Sequence, residues 1–197
     1  MTNKKRHNKQ LTRQKILDVS IKLIAERGFK ATTLLQIAEK AEVSEMTVVR
    51  HFKNKENILI ESLQLIKSDV PRMKEFVVTE ATYDLEKDLP TIVFIIQDTL
   101  LNNNELIRIL LREKEYEAKI DNQLSMGLFD LIIHYFDIMK GKNRLCELDS
   151  EAIAYDLISS LIGIFLVRSR FENKFTSVSE DEAIKTFIQI FTKGIQP

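Results

Sequence analysis

The chain has 197 residues, enough for one or two domains with a substantial core, and balances 29 basic against 29 acidic side chains with one cysteine, 5 glycines and 3 prolines. A lone cysteine, Cys146, excludes an intramolecular disulfide and a multi-cysteine zinc site, and so little Gly and Pro argues against a strand-and-turn architecture. The neutrality hides an asymmetry: residues 1–60 carry 13 basic and 6 acidic side chains, residues 61–197 carry 16 and 23, as expected of an N-terminal polyanion-binding module followed by an acidic remainder.

Apolar spacing is helical almost throughout, so an all-α fold is expected. The first helix is predicted over 9–27, with Ile16, Val19, Leu23 and Ile24 as its buried stripe and Gly28 at its C-terminal end. Lys4, Lys5, Arg6 and Lys9 read as a basic tail, but Arg13, Lys15, Lys22, Lys30, Arg50, Lys53 and Lys55 carry the excess charge into structured segments.

Residues 33–56 encode two short helices and a tight turn, then the start of another helix. Thr33 can cap the first, with Gln36 at the capping-box position. Leu34, Ile37, Ala38 and Ala41 share one face, and the two alanines let a second helix approach closely. Val43 plugs the turn and Ser44 can cap the second helix, about 45–51, which carries Thr47, Arg50 and His51. A short, polar, well-capped helix crossing its predecessor is what a DNA major groove admits. Two amphipathic helices joined by a turn also occur in many helical proteins without that role.

The spacing of Ile16-Leu17, Glu26-Arg27-Gly28-Phe29, Thr32-Thr33, Ile37-Ala38, Ala41-x-Val43-Ser44, Thr47-Val48 and His51-Phe52-x-x-Lys55-Glu56 resembles the DNA-binding domain of the TetR/AcrR family of bacterial transcriptional regulators over 13–59. Three positions depart from that pattern. Glu42 stands where the family usually has Gly, and a left-handed non-glycine there costs about 1–2 kcal/mol. Met46 replaces a small residue, and Val49 replaces a Tyr that reaches a DNA phosphate. The resemblance implies a helix-turn-helix domain, placed at 1–54, and a helical ligand-binding and dimerisation domain at 55–197. It also implies a double-stranded DNA operator as partner, bound by Thr33, Ser44, Glu45, Met46, Thr47, Arg50, His51 and Lys55. Lys55, Thr33 and helix N-termini would hold phosphates; Glu45, Met46, Thr47 and Arg50 would face base edges.

Asn54 can cap a fourth helix, expected over 55–70 with Leu59, Leu63 and Ile66 inward and Pro71 near its end. A loop or frayed segment is expected over 79–89, then helices over 90–101 (Pro90 in the first turn), 105–119, 122–140, 150–171 and 180–193. Gly141 and Gly194 stand at expected helix ends, and Ser179 with Glu182 repeats the capping-box spacing.

Phe94, Leu101, Phe129, Ile133 and His134 could line an apolar cavity for a small-molecule effector, with Arg112 holding an anionic group. The competing readings are plain core packing, a satisfied helix histidine and an arginine paired with nearby acids; Glu113, Glu115 and Glu117 read as a surface charge cluster. The last two long helices carry broad apolar faces, with Ser159, Ser160 and Gly163 permitting close approach. These faces suit an intramolecular core; the resemblance implies a homodimer through them instead. No phosphate loop, H-E-x-x-H or nucleophile elbow is present, so neither an enzyme nor a cofactor or metal is expected. The apolar stretch 157–167 is too short for a membrane span, and the N-terminus is polar, so a cytoplasmic protein is expected. The reading is a ligand-responsive, dimeric transcriptional regulator, a repressor. The alternative is a helical protein-interaction module tethered to DNA.

Overall fold

The computed structural model describes residues 2–65, 70–113, 123–171, 174 and 176–197, with the backbone alone at 2–5 and 123–126. Every regular element among them is helical. The described residues form two compact units, one drawn from 1–67 and 103–121, the other from 68–102 and 122–197.

The first unit holds α1 (Thr2–Arg27), α2 (Leu34–Ala41), α3 (Glu45–Phe52), α4 (Lys55–Leu63) and α7 (Asn104–Arg112). It is larger than the N-terminal domain expected to end at residue 54. The reason lies in α1, which buries two faces. Ile16, Leu17 and Leu23 join Ile37, Ala38, Ala41, Val48, Phe52 and Ile58 in one core. Ile21, Ile24 and Ala25 join Phe29, Leu59, Leu63, Leu106 and Ile109 in another. Each Val, Leu, Ile or Phe among them contributes roughly 1.5–3 kcal/mol on full burial, so α1 and α4 are held from both sides. The C-terminal end of α7 also secures that of α1. The Arg112 guanidinium donates to the carbonyls of Ile24 and Ala25, and the Glu113 carboxylate accepts the Phe29 N–H at 3.1 Å. Both carbonyls lie in the last turn of α1, where amides of the same helix run out, and the Ile24 carbonyl also accepts the Gly28 N–H at 2.9 Å. Gly28, at φ +93°, ends α1 as expected.

Several boundaries differ from expectation. The basic residues read as a tail lie on α1, which begins at Thr2. Helix α4 ends at Leu63 rather than at 70, and Pro71 sits in the first turn of a separate helix. Helix α7 ends at Arg112; Glu115 and Glu117, like Ile66, lie outside the described residues.

The second unit holds α5 (Val70–Glu75), a π-helical turn (Phe76–Glu80), α6 (Leu85–Asn102), α8 (Gln123–Gly141), α9 (Ser150–Phe171) and α10 (Glu180–Ile195). Helix α9 packs on α6, α8 and α10, burying Ile153, Ala154, Leu157, Leu161 and Phe165. Only 81–84 of the expected loop is irregular, because a buried carboxylate ties it down. Asp88, 2% exposed, accepts the Thr82 N–H at 3.1 Å, the Thr82 hydroxyl at 2.8 Å, the Tyr83 N–H at 2.7 Å and the Tyr135 hydroxyl at 3.0 Å. Asp84 accepts the Glu86 N–H at 3.2 Å, so α6 starts at Leu85 and leaves Pro90 in its second turn instead of its first. Proline there removes one ladder hydrogen bond. Burial, reinforced by the Asp88 charge, pushes the Tyr135 phenol well above its ordinary range, so it remains a donor.

The capping box of Ser179 and Glu182 forms as expected, but α10 runs on to Ile195 with Gly194 inside it. At 22 residues α9 is long and apolar enough to cross a membrane by length and composition, although its core-facing residues are buried in this unit.

Candidate nucleic-acid interface

Local chemistry builds the candidate surface. Thr33 accepts the Gln36 N–H at 3.2 Å while the Gln36 side chain accepts the Thr33 N–H at 3.0 Å, closing the capping box. Ala38 and Ala41 are wholly buried, and α2 packs closely on α3. Glu42 is left-handed, at φ 57° and ψ 43°, and its carboxylate pairs with the Lys15 ammonium on α1. That hydrogen bond, before the charge attraction itself, holds the Glu42 carboxyl below its ordinary value. The turn therefore keeps its geometry without glycine, at the cost of backbone strain.

Ser44 caps α3 by accepting the Thr47 N–H at 3.2 Å, and the two hydroxyls lie 2.9 Å apart. Val48 and Phe52 anchor the helix in the core. Its outer face presents Glu45, Met46, Val49 and Arg50, all exposed. The structure thus brings Glu45, Met46 and Arg50 together on one exposed face. It commits the hydroxyls of Ser44 and Thr47 to the cap.

His51 is half-buried. Burial lowers its pKa from 6.5, and the charges of Arg50, Lys9 and Arg13 lower it further. Arg13 sits over the Phe52 ring at 4.3 Å and pairs with Glu61 on α4, so it braces α1, α3 and α4.

The exit from α3 is strained. Lys53 adopts φ 70° and ψ −56°, and the Asn54 N–H donates to the Phe52 carbonyl at 2.9 Å, which makes a γ-turn centred on Lys53. Strain of this kind, about 1–3 kcal/mol, clusters at binding sites. The exposed Lys53 and Val49 are surface residues left out of the expected binding set. Their signal lay in the departure at Val49 and in the basic excess that Lys53 carries into a structured segment.

Lys55 stands differently from expectation. Its ammonium donates to the carbonyls of Phe29 and Thr32 at 2.6 and 2.7 Å and lies 4.3 Å from the Phe29 ring centroid. Two of its three protons are used inside the protein.

The expected effector residues are not gathered at one point. Phe94 and Leu101 are both 56% exposed on α6, Phe129 and Ile133 are half-buried on α8, and His134 is exposed. Arg112 belongs to the first unit and is committed to the end of α1. Phe94 borders an open groove of about 450 Å³ between α6 and α10, lined also by Pro90, Val93, Ile184 and Ile188.

Residues 16–61 match the family model of bacterial regulatory proteins, tetR family. Over 188 residues the chain is 29% identical to an uncharacterized HTH-type transcriptional regulator, YvkB, of Bacillus subtilis (strain 168), covering 93% of this chain and 97% of that protein. Over 74 residues it is 34% identical to the HTH-type transcriptional regulator AcrR of Shigella flexneri, covering 38% of this chain and 34% of AcrR. Among solved structures it shares its fold with NalD, the secondary repressor of the MexAB-OprM multidrug efflux pump in Pseudomonas aeruginosa. There the TM-score is 0.71 at 21% identity, over 96% of this chain and 98% of that one.

Proposed function

Since the chain belongs to the TetR family of bacterial regulatory proteins, we propose that it is a cytoplasmic, sequence-specific transcriptional repressor. It binds an operator as a homodimer and responds to a small molecule. The carrying observation is the face of α3. Glu45, Met46, Val49 and Arg50 are exposed side by side on an eight-residue helix fixed by the Ser44 cap and by buried Val48 and Phe52. Such a helix fits the major groove, and two of them related by a dimer axis read half-sites about one helical turn apart or more. Glu45 and Arg50 face base edges, while Lys53 and the amides at the N-termini of α2 and α4 hold phosphates.

The dimer forms through α9 and α10. In the single chain Ile158, Ile162, Ile164, Phe187 and Phe191 are only half-buried, and Tyr155 and Ile190 are 64% and 67% exposed. A second copy would cover them. The effector binds in the second unit, where Phe94, Phe129, Ile133 and His134 lie. It acts by binding the operator-competent and operator-incompetent states unequally.

The test is selection of bound duplexes from a random pool, followed by titration of the enriched sequence at several salt concentrations. A repressor of this kind enriches a two-fold symmetric sequence, and log affinity falls with log salt at about −0.9 per neutralised phosphate. Failure to enrich any sequence, or affinity indifferent to salt, overturns the proposal.

A further inference from the structure

We infer that Met46 and Val49 read the C5-methyl groups of thymines in the operator, so that apolar contact supplies part of this chain's sequence preference. The inference rests on the DNA-binding reading above and names the chemistry of that site.

Met46 is 74% exposed, the most exposed large apolar side chain among the described residues, and Val49 is 36% exposed. At a spacing of three they share one face of α3. The buried anchors of α3 are Val48 and Phe52. Isolated exposed apolar side chains are common on protein surfaces. These two, however, lie together on the short helix whose other outward residues, Glu45 and Arg50, are charged.

The groups left for polar readout are few. The hydroxyls of Ser44 and Thr47 lie 2.9 Å apart within the cap, which leaves Glu45 and Arg50 as hydrogen-bonding readers. A thioether and an isopropyl group cannot donate to a phosphate or a base edge. Pressed against a polar edge they would strip its water without replacing the hydrogen bond. The major groove offers one apolar group, the thymine methyl. A long flexible side chain and a short branched one, one turn apart, suit two neighbouring methyls.

The experiment uses the full-length protein and the enriched operator, with each thymine replaced in turn by deoxyuridine, which lacks only the methyl. Wild type should lose about fourfold in affinity at one or two thymines of each half-site, the factor for one buried methylene-sized group. Met46→Ala and Val49→Ala should each become indifferent at one of those positions, with wild-type melting and salt dependence. Met46→Leu should keep the sensitivity and Met46→Gln should lose it. Wild-type indifference to every deoxyuridine overturns the inference while leaving the DNA-binding reading standing. So does methyl sensitivity that survives both alanine variants, which would assign the methyls to another side chain. If selection enriches no sequence, both readings fall together.

Discussion

The Lys55 ammonium lies 4.3 Å from the ring centroid of Phe29 and donates to the carbonyl of that same residue at 2.6 Å. With the bond to the Thr32 carbonyl, it joins the start of α4 to the segment between α1 and α2, so one side chain sets the base on which the helix-turn-helix stands. Hydrogen bonds from a charged donor contribute about 1.5–3 kcal/mol. Lys55→Met should therefore lower unfolding stability in urea by about 2 kcal/mol. The salt dependence of DNA binding should keep its slope, because an ammonium already shared by two carbonyls is poorly placed to neutralise a phosphate. A slope flattened by about one, with stability unchanged, would make Lys55 a phosphate ligand instead.

His51 supplies a pH dependence. Burial, then Arg50, Lys9 and Arg13, depress its pKa below 6.5, so the imidazole is neutral in the free protein at pH 7. Because the folded value is depressed, the unfolded chain takes up the proton first. The stability due to neutral His51 is complete above 6.5 and is lost as pH falls toward the folded value. DNA acts in the opposite direction, since a nearby phosphate favours the imidazolium. Affinity at constant ionic strength should rise as pH drops below 6.5, while the free protein becomes less stable. His51→Gln should flatten both profiles. Affinity that falls with pH in the wild type alone would place His51 away from the phosphates.

Arg50 and Thr47 separate base reading from phosphate holding. Arg50→Ala and Thr47→Ala are to be titrated against the enriched operator and against scrambled DNA of equal length. A bidentate base contact discriminates by about 1–3 kcal/mol, whereas a phosphate contact weakens all sequences alike. Arg50→Ala should reduce the ratio of the two affinities. Thr47→Ala should change that ratio little and lower helix stability slightly, since its hydroxyl lies against that of Ser44. Equal proportional loss on both DNAs for Arg50→Ala would assign that side chain to phosphate.

What was legible in the sequence was local. Thr33, Ser44, Asn54 and Ser179 all cap the helices their spacing announces, because a cap needs only a side-chain oxygen and an amide two or three residues on. The left-handed turn at Glu42 was readable only through the resemblance, which places Gly at that position. What escaped reading depends on partners far along the chain. The Asp88 carboxylate that ties down 81–84 is held in part by Tyr135, 47 residues away. Arg112 serves α1 from 88 residues away, so neither its commitment nor the place of α7 in the first unit follows from periodicity. The role of Lys55 was obscured similarly, since its acceptors are backbone carbonyls that any sequence possesses.

Tyr135 and Asp88 give a stability prediction confined to the second unit. Both side chains are buried, and Tyr135 supplies one of the four hydrogen bonds the carboxylate accepts. Tyr135→Phe keeps the ring stacked near Tyr83 at about 5.8 Å and removes only the hydroxyl. It should cost about 1.5–3 kcal/mol in urea unfolding, the range for a hydrogen bond to a charged group. DNA binding by the folded protein should be unchanged. A loss of less than about 0.5 kcal/mol would mean that the hydrogen bond adds little to the stability of the loop at 81–84.

Gly163 tests the proposed assembly cleanly, because the single chain has room for a side chain there. A Cβ at Gly163 meets nothing within 4 Å, so substitution should not disturb the fold of one copy. Around it on α9 the side chains of Ile162, Ile164, Leu166 and Val167 are only half-buried, which leaves apolar area for a partner helix to cover. Gly163→Arg would bring an unpaired charge into a seam packed against a second copy, which is strongly unfavourable. The expected outcome is a wild-type dimer in sedimentation at micromolar concentration and a monomeric or aggregating Gly163→Arg protein with an unchanged helical circular-dichroism spectrum. Operator affinity should collapse with the dimer, since a single α3 keeps only half of the contacts. A Gly163→Arg protein that stays dimeric places the interface elsewhere on the second unit, and a wild-type monomer removes the two-fold operator from the proposal altogether.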